Sequence, residues 1–335
     1  MGMNAMNISS FMSDLLSALT QITRRNIGLG YIATEIFCIS CAVLLAFVVF
    51  LAVKLHSVKI KLKTADAEDV SAGKDESKSA LVKSIEEGLK NQEFKMYLQF
   101  IVDNKTKKIV SAEALSRWEK GDGQVVMPGA YIGAMEESGQ IVKLDYYMFE
   151  KACAKLAQWK GTEFADLTIS CNFTRITISE KDFVSKIKEI AERYDFDRKH
   201  LLLEITEDSI EKNLDVAMNN IIQIKALGFR IALDDIGGGY TSLISLCEYP
   251  IDVVKIDREI LCMTEKEAGK KLFLGMISFA HNLDLRVVCE GVETHDQNQL
   301  VSESECDYIQ GWFYSKAMPE NSADAFVKSY SENSK

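Results

Sequence analysis

Two aspartates stand side by side at the end of an apolar run, Asp234 and Asp235 in IALDDIGGGYTSL (231–243), and Gly237, Gly238 and Gly239 come immediately after them. Neighbouring anions repel and glycines lose much backbone freedom on ordering, so a ligand should offset both. Other polar groups fall at or near the ends of further short apolar runs: Asn172, Glu204, Lys255 with Asp257, Glu290 and Gln310, with Glu113 inside another. Each alone has an ordinary reading. A strand-end acid caps the next helix or meets water, and Lys255 and Asp257 share one face of a strand and can pair. Taken together, the acids would repel and suffer desolvation that a divalent cation removes. The all-oxygen candidate ligands are Glu113, Asn172, Glu204, Asp234, Asp235 and Glu290. They suit Mg²⁺ or Mn²⁺, with Ca²⁺ expected to occupy the site without serving it. Adjacent Asp234 and Asp235 allow one carboxylate to bridge two ions while its neighbour holds the second. Two ions roughly 3.5 to 4 Å apart clamp the attacking and leaving oxygens of an in-line phosphoryl displacement.

Other metal chemistry finds little support. The four histidines, His56, His200, His281 and His295, are scattered and read as structural or solvated. Six of the eight cysteines are scattered along the main body, and Cys38 and Cys41, the one C-x-x-C pair, lie inside an apolar run with no paired histidines, which points to a reducing compartment and no zinc site. GGGYTS lacks the ending of a nucleotide P-loop. It reads either as a tight turn or as a mobile loop closing beside the metals.

The elements that must position these groups are short β-rich runs alternating with amphipathic helical patterns: FKMYLQFIV, KIVSAEALSRW, LTISCNF, LLLEI, RIALDD, DVVKID, RVVCE and DYIQ. Their number and rhythm predict an α/β fold, a (β/α)₈ TIM-like barrel with chemistry at the carboxyl ends of the strands. A doubly wound open sheet is the alternative. Between strands, Ile210, Leu214, Met218, Ile221 and Ile222 recur at helical spacing over 209–227 before Gly228 stops the pattern.

Ahead of the barrel, the apolar run FCISCAVLLAFVVFLAV predicts one transmembrane helix over 32–55. Lysines at 54, 59, 61 and 63 favour a cytoplasmic position for the carboxyl-terminal part of the chain. The expected order is a short extracytoplasmic segment (1–31), too short for an independent sensor fold, the helix, a charged linker (56–79) and a folded domain (80–330). This would be a single-pass inner-membrane protein. A formal net charge of −10 argues against a nucleic-acid polymer as partner.

The motifs AEALSRW, ISCNFT, LLEITE, ALDDIGGGYTSL, VVKID, VVCEGVET and IQGWF stand in the order and spacing of a known family. From about Leu81 to Val327 the chain resembles the EAL-domain cyclic di-GMP phosphodiesterases. The resemblance implies a barrel with one reversed strand, a homodimer, two Mg²⁺ or Mn²⁺ ions, and hydrolysis of cyclic di-GMP to linear pGpG. Carried over, the metal ligands are the same six residues, and Lys255 sits beside the attacking water. Glu290 also serves the catalytic centre, and Glu293 and Gln310 lie around water and substrate. Gln99, Glu113, Leu115 and Arg117 contact substrate, and Glu207 steadies the glycine loop. Ile236 stands where the family has Phe, Gly238 where it has Thr or Ala, Phe100 where it has Pro and Cys289 where it has Ala, so slower turnover is expected. Two other readings are a catalytically weak or inactive cyclic di-GMP receptor and an enolase-like barrel abstracting a proton. The second needs a capping domain, where only a linker and a membrane segment are expected.

Overall fold

The computed structural model describes residues 79–206, 214–236 and 249–333, together with Ser17. The chain divides into two units, 1–77 and 78–335, and the second carries the barrel. The expected membrane helix, the linker up to Lys78, the glycine loop and Glu207 lie outside the described residues. Among the described residues no helix is long and apolar enough to cross a membrane.

After a helix over 79–90, the strands run β1 Phe94–Asp103, β2 Ile109–Glu119, β3 Val125–Val126, β4 Thr168–Asn172, β5 Leu201–Thr206, β6 Arg230–Ile236, β7 Val253–Ile256, β8 Arg286–Cys289, β9 Tyr308–Gln310 and β10 Met318–Pro319. Eight of them close a barrel in the order β1-β9-β8-β7-β6-β5-β4-β2, with β1 also bonded to β2. Closure excludes the open sheet. Strand β2 and strands β4 to β9 run parallel, while β1 is antiparallel to both its neighbours. The reversal has a local cause. Only residues 104–108 join β1 to β2, whereas a parallel pair needs a crossover of about a dozen residues or more. That turn is knit by Asp103, whose Oδ1 accepts from the backbone N–H groups of Lys105 and Thr106 and from the Thr106 hydroxyl. The two-residue pieces β3 and β10 extend β2 and β1 and are too short to leave an alternation in sequence.

The barrel packs in two places. A large core between its outer face and the helices includes Trp118, Phe149, Phe173, Phe229 and Phe273. A smaller cluster inside the barrel joins Ile101, Leu202, Ala232, Val253 and Val288. Toward the carboxyl ends of the strands the interior turns polar, with Glu113, Glu204, Lys255 and Gln310 all buried. The helix Leu214–Ala226 ends where Gly228 takes a φ of 95°, as a left-handed stop requires.

One buried acid ties a helix to the site. Helix Ile141–Trp159 carries Asp145, whose Oδ2 accepts from Thr174 N (3.0 Å), Thr174 Oγ1 (2.8 Å) and Thr177 Oγ1 (2.6 Å). The bonds pin the turn just beyond Asn172. Burial outweighs these three donors and pushes the Asp145 carboxyl up to about 6. A carboxyl with a raised folded pKa stabilises fully below its unfolded pKa, and that contribution fades as pH rises through the folded value. The loss therefore falls between about pH 4 and pH 6 and amounts to about 3 kcal/mol. In urea unfolding across that window, Asp145→Asn, which keeps an acceptor but cannot ionise, should show a flatter pH dependence than the wild type. Identical slopes would remove Asp145 as the cause.

Candidate active site

Lys255 lies in VVKI, a strand buried along its whole length, and its side chain is only 2% exposed. Its Nζ lies 2.6 Å from Glu290 Oε1, 2.9 Å from Glu204 Oε2, 3.3 Å from Asp234 Oδ1 and 3.5 Å from Glu113 Oε2. Burial alone would strip the proton from this amine. Asp234, Glu113, Glu204 and Glu290 overcome that and hold its pKa well above the usual lysine range. The acids divide around it. Burial drives Glu204 well up, and burial drives Glu290 up to about 8, with Asp234 and Glu113 adding to the effect and Lys255 opposing it. Glu113, though buried, ends below its usual value because Lys255, Gln310 and Asn172 together outweigh desolvation. Asn172 Nδ2 and Gln310 Nε2 donate to its two oxygens at 2.8 and 2.7 Å.

The adjacent aspartates reach one site through a bulge. In a regular strand Asp234 and Asp235 would face opposite sides. Between the pairs Leu233–Val254 and Ile236–Ile256, however, β6 holds one residue more than β7, and Asp235 adopts a φ of 59°. That left-handed turn breaks the alternation. Asp234, Asp235 and Glu290 each present a carboxylate oxygen, all within 4.8 Å of one another. Burial, followed by repulsion from Asp234 and Asp257, pushes Asp235 up to about 6. This all-oxygen, charge-rich cluster fits a hard divalent cation. The sequence carried one sign of the bulge: Asp is among the few residues that tolerate the left-handed region.

Other candidates sit at different distances from this centre. Gln99 is paired in register with Glu113, and its Nε2 donates to Ser315 O. Leu115 lines a cavity of about 230 Å³ together with Pro128, Ile132 and Asn172. Arg117 is nearly buried, donates to the Ser116 carbonyl and lies over the Tyr97 ring. Glu293 stands apart from the lysine, held by Arg258 Nη2 at 2.9 Å. Asp257 does not pair with Lys255; it caps the helix Arg258–Met263 by accepting from Glu259 N. His281 bonds Asp307, and His295 opens the helix His295–Glu303. The glycines of the EGVET and IQGWF motifs act through backbone. Gly291 has a φ of 67°, and a Cβ on Gly311 would lie 2.0 Å from the Val292 carbonyl oxygen. The close approach of Gly311 to Val292, sealed by Val292 N donating to Gln310 O, sets Glu290 and Gln310 side by side.

A closed barrel with one reversed strand and an acid-ringed lysine defines a class of domain, and comparison with known proteins agrees. The model of the EAL domain family matches residues 82–317, and the chain belongs to that family. It is 32% identical over 244 residues to the signaling protein YkoW of Bacillus subtilis, covering 72% of this chain and 30% of that protein. It is 27% identical over 247 residues to the cyclic di-GMP phosphodiesterase NbdA of Pseudomonas aeruginosa, covering 73% and 32%. The chain thus spans about a third of the length of these relatives. Among solved structures, the PaMucR phosphodiesterase in complex with c-di-GMP superposes with a TM-score of 0.69 at 26% identity, covering 73% of this chain and 99% of that one.

Removing the ammonium would leave buried acids without their counter-charge. In metal-free buffer, Lys255→Ala should lose about 3–5 kcal/mol of stability. Millimolar Mg²⁺ or Mn²⁺ should raise its melting temperature more than that of the wild type. Equal melting curves for the two proteins in chelator would show that Lys255 does not balance these acids.

Proposed function

We propose that residues 80–330 hydrolyse cyclic di-GMP to linear pGpG and so lower the level of a second messenger. Residues 32–55 would tether them to the inner membrane, with 1–31 outside the cytoplasm and 56–79 as a linker, and the EAL domain would pair as a homodimer. One observation carries the chemistry: a buried ammonium shared by four carboxylates, with Asp234, Asp235 and Glu290 converging beside it. The substrate is supported by relatives named as cyclic di-GMP phosphodiesterases, NbdA and the PdeR protein of Escherichia coli, and by the c-di-GMP complex of PaMucR.

Glu113, Asn172, Glu204, Asp234, Asp235 and Glu290 would hold two divalent ions, Mg²⁺ or Mn²⁺, which when bound supply positive charge at the phosphodiester and make water nucleophilic. The chain's own groups orient and balance charge. Lys255, fixed between Glu204 and Glu290, directs the attacking water and offsets negative charge growing on the phosphoryl oxygens. Asn172 and Gln310 hold Glu113 in one rotamer by occupying both its oxygens. Arg117, free of any ion pair among the described residues, grips a phosphate oxygen, with Gln99 and Leu115 alongside the substrate. Glu293, oriented by Arg258, accepts a hydrogen bond from water at the edge of the site. Glu207 keeps its proposed role of steadying the glycine loop. Ile236 is 3% exposed and buries less surface than the family's Phe, which fits slow turnover.

Full-length protein given cyclic di-GMP and Mg²⁺ or Mn²⁺ should release pGpG as its first product, identified by mass spectrometry. Lys255→Ala and Asp234→Asn should each slow release by about 100-fold or more. Wild-type rates in both variants would refute the site. Saturable binding without product, in Mn²⁺ as in Mg²⁺, would make the domain a receptor rather than an enzyme. On cell fractionation the full chain should pellet with membranes and a chain lacking 32–55 should not; a full chain found only in the soluble fraction would sink the tether.

A further inference from the structure

The amino-terminal half of the barrel interior is only partly filled. Such barrels normally pack their interiors with layers of bulky branched side chains. Here Ser111, Thr168, Ser170 and Ala232 stand on or beside β2, β4 and β6, and a cavity of about 190 Å³ opens beneath the acidic site. Ile101, Leu202, Val253 and Val288 also line it, as do Glu204 and Lys255 from the acidic site. Arg230, Asp166 and Tyr308 also line it, and Arg230 and Tyr308 are half-buried while Asp166 is exposed.

Three observations distinguish this space from a packing fault. Ser170 is 1% exposed, yet its Oγ makes no hydrogen bond; it lies close to Glu204 without meeting bonding geometry. Its neighbours are satisfied, since Thr168 Oγ1 donates to Ser111 Oγ and Ser111 Oγ donates to the Thr168 carbonyl. A buried hydroxyl whose one neighbour is a poorly placed carboxylate has bonding capacity to spare, which a group inside the cavity can use. Second, the Arg230 guanidinium forms no ion pair or hydrogen bond among the described residues, although Asp166 lines the same cavity. A guanidinium without a partner at the edge of a chamber walled by both apolar and polar side chains is a carboxylate receptor in its chemistry. Third, Ser170 and Arg230 both pair in register with Leu202, one from β4 and one from β6, so the two groups flank a single apolar wall.

We propose that this cavity is a second binding site, for a small monocarboxylate with a compact apolar body and one further hydrogen-bonding group. The carboxylate meets Arg230, the body lies against Leu202, Val253, Val288 and Ile101, and the polar substituent reaches Ser170. Size agrees with this class. An apolar cavity of about 150 Å³ accommodates benzene, so the present one has room for a ring with substituents, about ten non-hydrogen atoms in all. The Asp166 carboxylate disfavours a second negative charge on the ligand. The cavity shares Glu204 and Lys255 with the proposed catalytic centre, but the groups that would hold the ligand, Arg230 and Ser170, have no part in the proposed phosphodiester chemistry.

The test uses 4-hydroxybenzoate as probe, titrated calorimetrically into the full-length protein, with benzoate and 4-hydroxybenzyl alcohol as controls. The wild type should bind one equivalent of 4-hydroxybenzoate, more tightly than either control. Arg230→Gln should weaken it by about tenfold or more and bring it level with the uncharged alcohol. Ser170→Ala should remove the advantage over benzoate. Ala232→Leu, which fills the space, should abolish binding while its melting temperature reports that the fold is intact. Absence of saturable binding to the wild type, or binding that Arg230→Gln and a folded Ala232→Leu leave unchanged, would overturn the proposal.

Discussion

A single ammonium holds the centre of this barrel together electrostatically. Glu113, Glu204, Asp234 and Glu290 arrive from four different strands or strand ends, and each has an oxygen near Lys255 Nζ. Without that charge the four would not tolerate one another in so dry a place, since repulsion between buried anions is several times stronger than in water. One positive charge cannot neutralise these acids and Asp235 as well. The surplus is what equips the site for cations and makes it more than a structural salt-bridge knot. Glu290, Glu204 and Asp235 all titrate above the usual carboxylate range, through burial first and through repulsion from their neighbours second.

The neighbouring parts of the fold serve that arrangement. Asn172 and Gln310 immobilise Glu113, the close approach of Gly311 to Val292 fixes the ends of β8 and β9, and Asp145 pins the turn after Asn172. The polar half of the barrel is therefore tightly specified, while the half beneath it sets small side chains beside the larger Ile101, Leu202, Val253 and Val288. The division is visible along single strands: β4 carries Thr168 and Ser170 below Asn172, and β6 carries Ala232 below Asp234.

Much of this was legible in the sequence. All eight barrel strands could be read from short apolar runs, because a strand covered on both faces needs little else. The acids could be picked out by their position at strand ends. The features that escaped such reading depend on tertiary contact. Lys255 and Asp257 share a strand face in sequence, yet Asp257 caps a helix and the lysine's partners come from elsewhere in the chain. The bulge at Asp235 depends on pairing with β7, which no local pattern encodes. Strands β3 and β10 are held by their neighbours, not by their own composition. The EAL family relationship supplied the reversed strand, for which the short 104–108 connection is the physical reason.

That reversed strand also sets a timetable. β1 pairs with β2 almost as soon as both leave the ribosome, but its other edge must wait for β9, whose residues 308–310 are made some two hundred positions later. At about 5–20 residues per second the wait is roughly 10–40 s. For that interval the nascent hairpin exposes a row of unpaired amides, the kind of edge on which neighbouring chains recruit one another. Crowding of ribosomes on the message would bring such edges together before β9 is made to cover them.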